Sequence, residues 1–290
     1  MATNSDSLES LRSSGAPDAS PAGLLAGWRG MILDAVAAVG DFGLFTWQTM
    51  SWLCMHLPRR RTVMPILYQV GVSSLPVVAL TGTFIGMVLA VETYYQFRQL
   101  GLETRMGGVI NKSLACELGP VLAATMLAGR VGGAIAAELG TMRITEQIDA
   151  LASMGADPIH YLVVPRFLAF VLLIPALTVM AVFMGVLGGF SWCVVGLGID
   201  YHHYLTNAQQ FVGNYDLFSG MTKSIFFAVA IALVSCYQGF NCLPGAEGVG
   251  KAATSAFVQS FVLILGLDLL LGIVLNSIYF MLWPEAPSLF

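Results

Sequence analysis

The stretch Phe167–Val195, FLAFVLLIPALTVMAVFMGVLGGFSWCVV, decides the fold class of this chain. It contains no Asp, Glu, Lys or Arg. It is also longer than the roughly 20 residues that a helix needs to cross the hydrocarbon core of a bilayer. The stretch therefore indicates a transmembrane helix.

The composition of the whole chain agrees with this interpretation. Hydrophobic residues make up 57% of the 290 residues and charged residues only 10%, whereas soluble domains carry about 25% charged residues. The net charge of -4 excludes a typical nucleic-acid-binding protein, which needs a basic surface. We predict an all-α integral membrane protein.

Five apolar segments are long enough to be transmembrane helices. Pro76 and Pro175 lie within the first and third, where we expect tilt or a kink. Pairs of glycines at GxxxG spacing predict close approach of helix backbones; they are Gly82/Gly86, Gly129/Gly133 and Gly185/Gly189. The predicted spans are about residues 63–91, 114–139, 167–195, 218–240 and 257–283.

The amino-terminal region has a different character. Residues 1–22 are rich in Ser, Ala, Asp and Pro, which predicts a disordered tail. Over residues 24–57, a polar line that includes Asp34 and Asp41 faces a row of apolar side chains, which is typical of an amphipathic helix lying in the membrane interface. A first spanning helix is the alternative, but two aspartates on one face disfavour it.

The distribution of Lys and Arg predicts the orientation. The triplet Arg59, Arg60 and Arg61 immediately precedes the first span, and basic residues next to a span favour the cytoplasmic side. We therefore expect the amino terminus in the cytoplasm and the carboxyl terminus outside.

No pattern of residues indicates an enzyme. Residues 245–252 resemble a phosphate-binding loop, but Ala252 replaces the Ser or Thr that would hold magnesium. His202 and His203 are adjacent, which is a poor arrangement for metal binding, and we interpret them as a loop pair. The five cysteines form no C-x-x-C pair. We predict no catalytic site, no metal and no cofactor bound by this chain.

The loop between the second and third spans carries signals for a short cytoplasmic helix. Thr145 is predicted to cap its start, and Gly155 followed by Pro158 should end it. Ile148, Leu151 and Ala152 form an apolar stripe suited to the groove of a partner protein, with a plain connector as the alternative. The helix residues that we expect to contact a partner are Thr145, Glu146, Gln147, Asp149, Ala150, Leu151 and Met154.

Charged residues within spans are candidates for function because they are costly in hydrocarbon. Glu117 and Lys223 lie at matching depths near the outer side, so they either pair or line a cavity for a lipid headgroup. Arg130 and Asp268 lie roughly 14 and 17 Å from the cytoplasmic ends of their spans, at 1.5 Å per residue. We predict that Arg130 and Asp268 form an ion pair, with a role in conformational switching as the alternative.

Several motifs in the membrane region resemble those of the MlaE/YrbE permease family. They are ELGPVLAA over residues 117–124, AGRVGGAIAAELG over 128–140, MRITEQIDAL over 142–151, and Asp157-Pro158. The resemblance extends over about Leu67–Leu275, so residues 23–290 are interpreted as a permease domain of this type. Such permeases are the membrane subunits of ABC transporters that work with MCE proteins on lipids.

This resemblance implies partners and a function. The expected assembly is a permease homodimer with cytoplasmic ABC ATPase subunits that bind ATP, a periplasmic MCE protein and, in some systems, a STAS-domain subunit. It resides in the bacterial inner membrane and moves phospholipids between the inner and outer membranes. The loop helix becomes the coupling helix that docks on the ATPase. The alternative function is an ATPase-independent secondary transporter or channel for a hydrophobic solute, which has no use for such a helix.

The same resemblance directs attention to an outer cavity for lipid. We expect Val88, Val91 and Leu114 to line its apolar part, with Glu92 and the Glu117–Lys223 pair near its polar mouth. One residue departs from the family pattern, since Cys116 stands where many relatives carry an arginine. A positive charge for a lipid phosphate is therefore either absent at this point or supplied by another residue.

Overall fold

The computed structural model describes residues 21–55, 60–101 and 105–282, and within these ranges every regular element is helical. The predicted disordered tail falls almost wholly on residues 1–20, outside the described residues, as do Arg59 and the end of the fifth predicted span at Trp283. The chain divides into two compact units, Met1–Gln48 and Thr49–Phe290.

The described part of the first unit belongs to helix α1 (Pro21–Met55). The helix predicted over residues 24–57 is therefore present. Large apolar side chains such as Val36 and Val39 are exposed along it. Among the described residues it is not one of the helices that are long and apolar enough to cross a membrane. Its position in the membrane interface remains a prediction.

The second unit contains all five candidate membrane spans found in the described residues, which confirms the predicted fold class. Each span overlaps one predicted segment, and four of the five begin or end well beyond the predicted limits. The helices are α2 (Arg60–Gln99), α3 (Met106–Ile144), α4 (Gln147–Ser153), α5 (Ile159–Gly196), α6 (Tyr201–Phe211), α7 (Asn214–Phe240) and α8 (Ala246–Leu282).

Two short helices mark the two ends of this bundle. Helix α4 joins α3 to α5 at one end, and helix α6 joins α5 to α7 at the other. We call them the α4 end and the α6 end.

The α6 helix corrects the sequence interpretation of His202 and His203 as loop residues. The Asp200 carboxylate caps α6 by accepting a hydrogen bond from the backbone N–H of His202 at 2.7 Å. This bond lowers the pKa of the Asp200 carboxyl. Tyr204 is fully buried and donates to Asn111 Oδ1 at 3.4 Å, and its burial raises the pKa of its phenol. The sequence did not reveal that the buried Tyr204 anchors α6, because the neighbouring histidines make the segment look polar.

Glycines bring α2 and α5 into backbone contact, as the GxxxG spacing predicted. A Cβ atom on Gly86 would overlap the carbonyl oxygen of Gly185, and one on Gly188 would overlap that of Thr83. The predicted Gly129/Gly133 pair is looser, because a Cβ on Gly129 would lie 3.3 Å from the Phe257 ring. In this part of α3 the close contact is made by Gly132, the residue next to Gly133.

Helices α3 and α5 are interrupted by widened π-helical turns. In α3 these turns are Leu114–Leu118 and Ala128–Gly132, and in α5 they are Ile159–Val163 and Trp192–Gly196. Two of the four turns end two residues before a proline, at Pro120 and Pro165. Proline has no N–H and crowds the carbonyl four residues earlier, so a wider turn accommodates it. Glu117 and Arg130 both lie in the widened turns of α3.

The α2–α5 contact yields the first prediction. Gly86→Ala should lower the stability of the purified protein by about 1–3 kcal/mol because the new methyl group overpacks a backbone contact. The measurement is thermal unfolding in detergent followed by intrinsic fluorescence.

Gly266→Ala is the matched control, since nothing lies within 4 Å of the position of its Cβ. It should be neutral or slightly stabilising, because alanine favours helix by about 1 kcal/mol over glycine. Equal unfolding temperatures for the two variants would contradict the close packing of α2 on α5.

Candidate functional site

A cluster of three charged side chains joins α3, α7 and α8 inside the bundle. Lys223 Nζ lies 2.6 Å from Glu117 Oε2 and 3.0 Å from Asp268 Oδ1. The Lys223 side chain is only 1% exposed, whereas that of Glu117 is 52% exposed. We call these three residues the Lys223 cluster. The expected pairing of Glu117 with Lys223 is present, and Asp268 joins it.

Small residues let the three helices approach closely enough to form the Lys223 cluster. A Cβ on Gly220, one turn before Lys223, would overlap the carbonyl oxygen of Ala115 in α3. A Cβ on Gly272, one turn after Asp268, would lie 3.8 Å from Lys223 Nζ. The glycines of α7 and α8 therefore make room for the lysine side chain between the helices.

The Lys223 cluster has one more carboxylate than it has cations. Charges interact strongly in a medium of low dielectric constant, so each partner depends on the others. Lys223 is enclosed and cannot reach a ligand on the surface of the protomer, but Glu117 can. With both carboxylates ionised, the exposed edge of the cluster is acidic.

The predicted Arg130–Asp268 ion pair is wrong. Asp268 contacts Lys223 instead, and the exposed Arg130 has no salt bridge to any residue that the structure describes. Depth along a helix does not tell which way a side chain points. The fourth span also begins earlier than predicted, at Asn214, which places Lys223 deeper in the bundle and within reach of Asp268.

A second polar group lies next to Cys116, on the α6 side of Glu117. Cys116 Sγ lies 3.3 Å from Asp216 Oδ1, and Lys112 Nζ lies 4.0 Å from the same oxygen. Asp216 Oδ2 also accepts a hydrogen bond from the backbone N–H of Gly213 at 2.9 Å, which fixes the start of α7. Lys112 thus supplies a positive charge one helical turn from Cys116.

An open, mostly apolar groove lies between α2 and α5 on the surface of the protomer. Its volume is about 290 Å³, and it is lined by Met87, Val88, Val91, Glu92 and Trp192. Three residues that we expected around a lipid cavity, Val88, Val91 and Glu92, therefore share this groove. The groove is large enough for part of an acyl chain.

Leu114 does not line this groove. Its side chain is 2% exposed and packs in a core cluster with Ala90, Met106 and Ile110. The expectation that Leu114 lines the lipid cavity is wrong for the protomer, since its position at the start of a predicted span concealed that α3 begins earlier, at Met106. Glycines 107 and 108 then let α6 pack on this start of α3, while the Leu114 side chain packs against Gly185 of α5.

The short helix predicted between the second and third spans is present, but Thr145 does not cap its start. The Thr145 hydroxyl donates to the carbonyl of Thr141 at 2.9 Å, so Thr145 ends α3. Glu146 then adopts a left-handed conformation with φ of 58°, and α4 begins at Gln147. The cap prediction failed because α3 continues to Ile144, leaving no extended residue at position 145.

The predicted end signals of α4 are confirmed. Gly155 has φ of +79°, a conformation that glycine adopts without steric cost. Asp157 Oδ1 then accepts a hydrogen bond from the backbone N–H of Ile159 at 2.8 Å and starts α5. An ion pair between Arg143 and Asp149 ties α4 to the end of α3.

The apolar residues of α4 divide between two faces. Ile148 is buried against the protein, Leu151 is half-buried, and Met154 is 73% exposed. Ala150 and Gln147 are exposed as well. Helix α4 is therefore anchored through Ile148, while Ala150 and Met154, the residue directly after the helix, face outward.

A further ion pair near the α4 end was not predicted from the sequence. Arg166 is 8% exposed and donates to Glu138 Oε1 at 2.7 Å and to the carbonyl of Leu162 at 2.9 Å. The signal in the sequence was an arginine directly after Pro165, at the start of an apolar segment. The pair links α3 to α5.

The described architecture is that of a polytopic helical membrane protein with a charge cluster inside its bundle and a short helix between two spans. Comparison with known protein families shows which family within this class the chain matches. Residues 63–274 match the family model described as Permease MlaE. The chain belongs to the MlaE permease family.

Individual relatives agree with this assignment. The chain is 42% identical to a probable ABC transporter permease protein of Rickettsia conorii over 228 residues, 79% of this chain and 88% of the relative. It is 35% identical to the intermembrane phospholipid transport system permease protein MlaE of Haemophilus influenzae over 245 residues, 83% of this chain and 92% of the relative. It is 39% identical to the chloroplastic protein TRIGALACTOSYLDIACYLGLYCEROL 1 of Arabidopsis thaliana over 220 residues, 76% of this chain and 62% of the relative.

The Lys223 cluster yields the second prediction. Lys223→Met should destabilise the protein by about 3–5 kcal/mol, because it leaves two carboxylates without a cation. Adding Asp268→Asn should recover part of this loss, giving a coupling energy of about 1–3 kcal/mol in a double-mutant cycle of unfolding free energies.

The same cycle for Arg130→Gln and Asp268→Asn is the matched control. Their effects should add within about 0.5 kcal/mol because the two side chains do not meet. Strong coupling of Asp268 to Arg130, with none to Lys223, would contradict the structure.

Proposed function

We propose that this chain is the membrane permease subunit of an ABC transporter that moves phospholipids between the inner and outer membranes of a bacterium. The observation that carries the proposal is the pair of sites at opposite parts of the bundle. Helix α4 presents an exposed face at one end, and the apolar groove and the Lys223 cluster lie nearer the other. The name of the Haemophilus relative supports phospholipid as cargo.

Helix α4 is the proposed coupling helix. It is attached to the bundle through the buried Ile148 and the Arg143–Asp149 ion pair, so a push on its exposed face is transmitted to α3 and α5. ATP is bound and hydrolysed by a separate ATPase subunit. The segment that resembles a phosphate-binding loop in this chain instead begins α8 at Ala246, directly after α7.

The groove and the Lys223 cluster form the proposed lipid-handling side. Val88 and Val91 offer an apolar surface to an acyl chain, while Glu92 and the exposed carboxylate of Glu117 contact polar headgroup atoms. Lys112 is a cation within one turn of Cys116 and is the proposed substitute for an arginine there. No metal or further cofactor is part of this proposal.

The assembly that we propose has two permease copies in the inner membrane. Large apolar side chains are exposed along α8, among them Val262, Leu269 and Leu270, which suits contact with a second copy or with lipid. The α4 end lies in the cytoplasm with the amino terminus, and the α6 end and carboxyl terminus lie in the periplasm. A periplasmic MCE protein receives the lipid there, and in some systems of this type a STAS-domain subunit binds the ATPase.

The alternative is a secondary transporter or channel that works without an ATPase. The observation that weighs against it is again α4, whose exposed Met154 is an apolar side chain in water unless a partner covers it. A carrier that works alone has no use for that contact.

The α4 helix yields the third prediction. Met154→Arg should prevent stable association with the ATPase subunit and remove lipid-stimulated ATP hydrolysis, because it places a charge in the docking contact. Since Met154 is 73% exposed, the permease should still fold and purify at the normal yield. The measurements are co-purification of the ATPase and hydrolysis rates in reconstituted vesicles.

Leu205→Arg is the matched control for Met154→Arg. Leu205 is an apolar residue with 43% exposure on α6, at the opposite end of the bundle. This variant should retain the ATPase. If the Met154 variant also retained it, with normal lipid-stimulated hydrolysis, the coupling role of α4 would be refuted.

The groove yields the fourth prediction. Photocrosslinking amino acids at Val88 and Val91 should capture phospholipid several-fold more efficiently than one at Phe183, a residue of α5 that is exposed but outside the groove. Captured lipid is identified by mass spectrometry of the purified complex. Equal capture at the three positions would indicate ordinary surrounding lipid and no binding in the groove.

A further inference from the structure

Arg130 is a charged residue of the bundle that the proposed lipid site does not use. It lies in the widened turn Ala128–Gly132 of α3, and its side chain is exposed. Within the described residues it has neither a carboxylate partner nor a hydrogen-bond acceptor, whereas Lys223 and Arg166 each have both. A guanidinium stays protonated in proteins, so Arg130 keeps its positive charge even within the membrane.

The contacts of α3 with α7 place Arg130 within the membrane. A Cβ on Gly132 would lie 2.7 Å from Ser235 Oγ and 3.3 Å from Ile231, so Arg130 is level with about Ile231. That is roughly 14 Å from the end of α7 at Phe240, at 1.5 Å per residue. Helix α7 is about 10 Å longer than a hydrocarbon core of about 30 Å, so about 5 Å of the helix extends beyond the core at each end. Arg130 therefore lies roughly 9 Å inside the core.

The face of α3 that carries Arg130 differs from an ordinary lipid-facing surface. Exposed residues recur at helical spacing from the middle of α3 towards the α4 end, and they are Met126, Arg130, Ala134, Glu138 and Thr141. We call this set the Arg130 face. Further towards the α6 end, exposed residues of α8 such as Phe261 and Val262 are apolar.

This composition excludes contact of the Arg130 face with acyl chains alone. An arginine in hydrocarbon costs several kcal/mol unless it meets water or an anion. Glu138 does not supply that anion, because it lies two helical turns away and pairs with Arg166. The Arg130 face must therefore meet water or an anion from outside the protomer.

We propose that Arg130 binds the phosphate group of a phospholipid in the cytoplasmic half of the membrane, on a water-accessible path along the Arg130 face. This inference rests on the proposed function, because phospholipid is the cargo that brings a phosphate to this depth. Guanidinium groups bind phosphate oxygens through two parallel hydrogen bonds, which a lysine cannot reproduce. The Arg130 face is thus a second lipid site, separate from the groove of α2 and α5.

The test measures lipid capture at Ala134, one turn from Arg130. The complete complex, carrying a photocrosslinking amino acid at position 134, is placed in nanodiscs of phosphatidylglycerol and phosphatidylethanolamine. Arg130→Gln should reduce phospholipid capture at least fivefold, and Arg130→Lys should restore about half of it, as a weaker phosphate ligand. Lys251→Gln, which removes an exposed charge near the start of α8, is the matched control and should capture normally.

Two outcomes would overturn the inference. Unchanged capture in Arg130→Gln would show that the arginine only extends towards the headgroups of the surrounding bilayer. Loss of the permease dimer in that variant, measured by light scattering, would show that the arginine instead meets an anion of a second copy.

A second measurement leaves Arg130 intact and does not depend on the folding of a variant. Nanodiscs contain equal amounts of phosphatidylglycerol and of diacylglycerol with the same acyl chains. A crosslinker at Ala134 should favour the phosphate-bearing lipid several-fold more than one at Val262 does. Equal ratios at the two positions would overturn the inference.

Failure of this inference is distinguishable from failure of the proposed function. If Val91 captures phospholipid while capture at Ala134 is independent of Arg130, only the Arg130 site is refuted. If neither position captures phospholipid from the working complex, the proposed cargo itself is refuted.

Discussion

An ionised side chain inside a membrane must meet an opposite charge, water or a polar ligand, and this requirement organises the bundle. It places Glu117 and Asp268 on either side of Lys223 and so joins α3, α7 and α8. It also joins Arg166 to Glu138 near the α4 end. Arg130 satisfies the same requirement through no described residue of the protomer, and for that reason it points to a ligand.

Close backbone contacts make these charge pairs possible. The glycines of α2 and α5 lack side chains that would hold the two backbones apart, and Gly220 has the same effect between α7 and α3. In lipid, helix association depends on such packing because acyl chains are as apolar as the helices themselves. The widened turns of α3 then set the directions of Glu117 and Arg130, which a regular helix would point elsewhere.

Much of the fold could be predicted because the membrane imposes simple rules on a sequence. The five spans followed from apolar length, the close approach of helix backbones from glycine spacing, and the end of α4 from Gly155 and Pro158. The predictions that failed concerned helix starts and side-chain directions. Thr145 ends a helix instead of starting one, Leu114 is buried instead of lining a cavity, and Asp268 pairs with Lys223 instead of Arg130, because α3 and α7 are longer than their apolar cores.

The sequence by itself determined the class of protein, the number of spans, the presence of α4 and the family. These depend on local composition, on spacing and on motifs that are contiguous in the chain. Only the tertiary structure decided which charges meet, which residues share a groove and which face of α3 is left without a partner. Those facts depend on the rotation of each helix about its own axis, and that rotation is set by packing against neighbouring helices and by π turns.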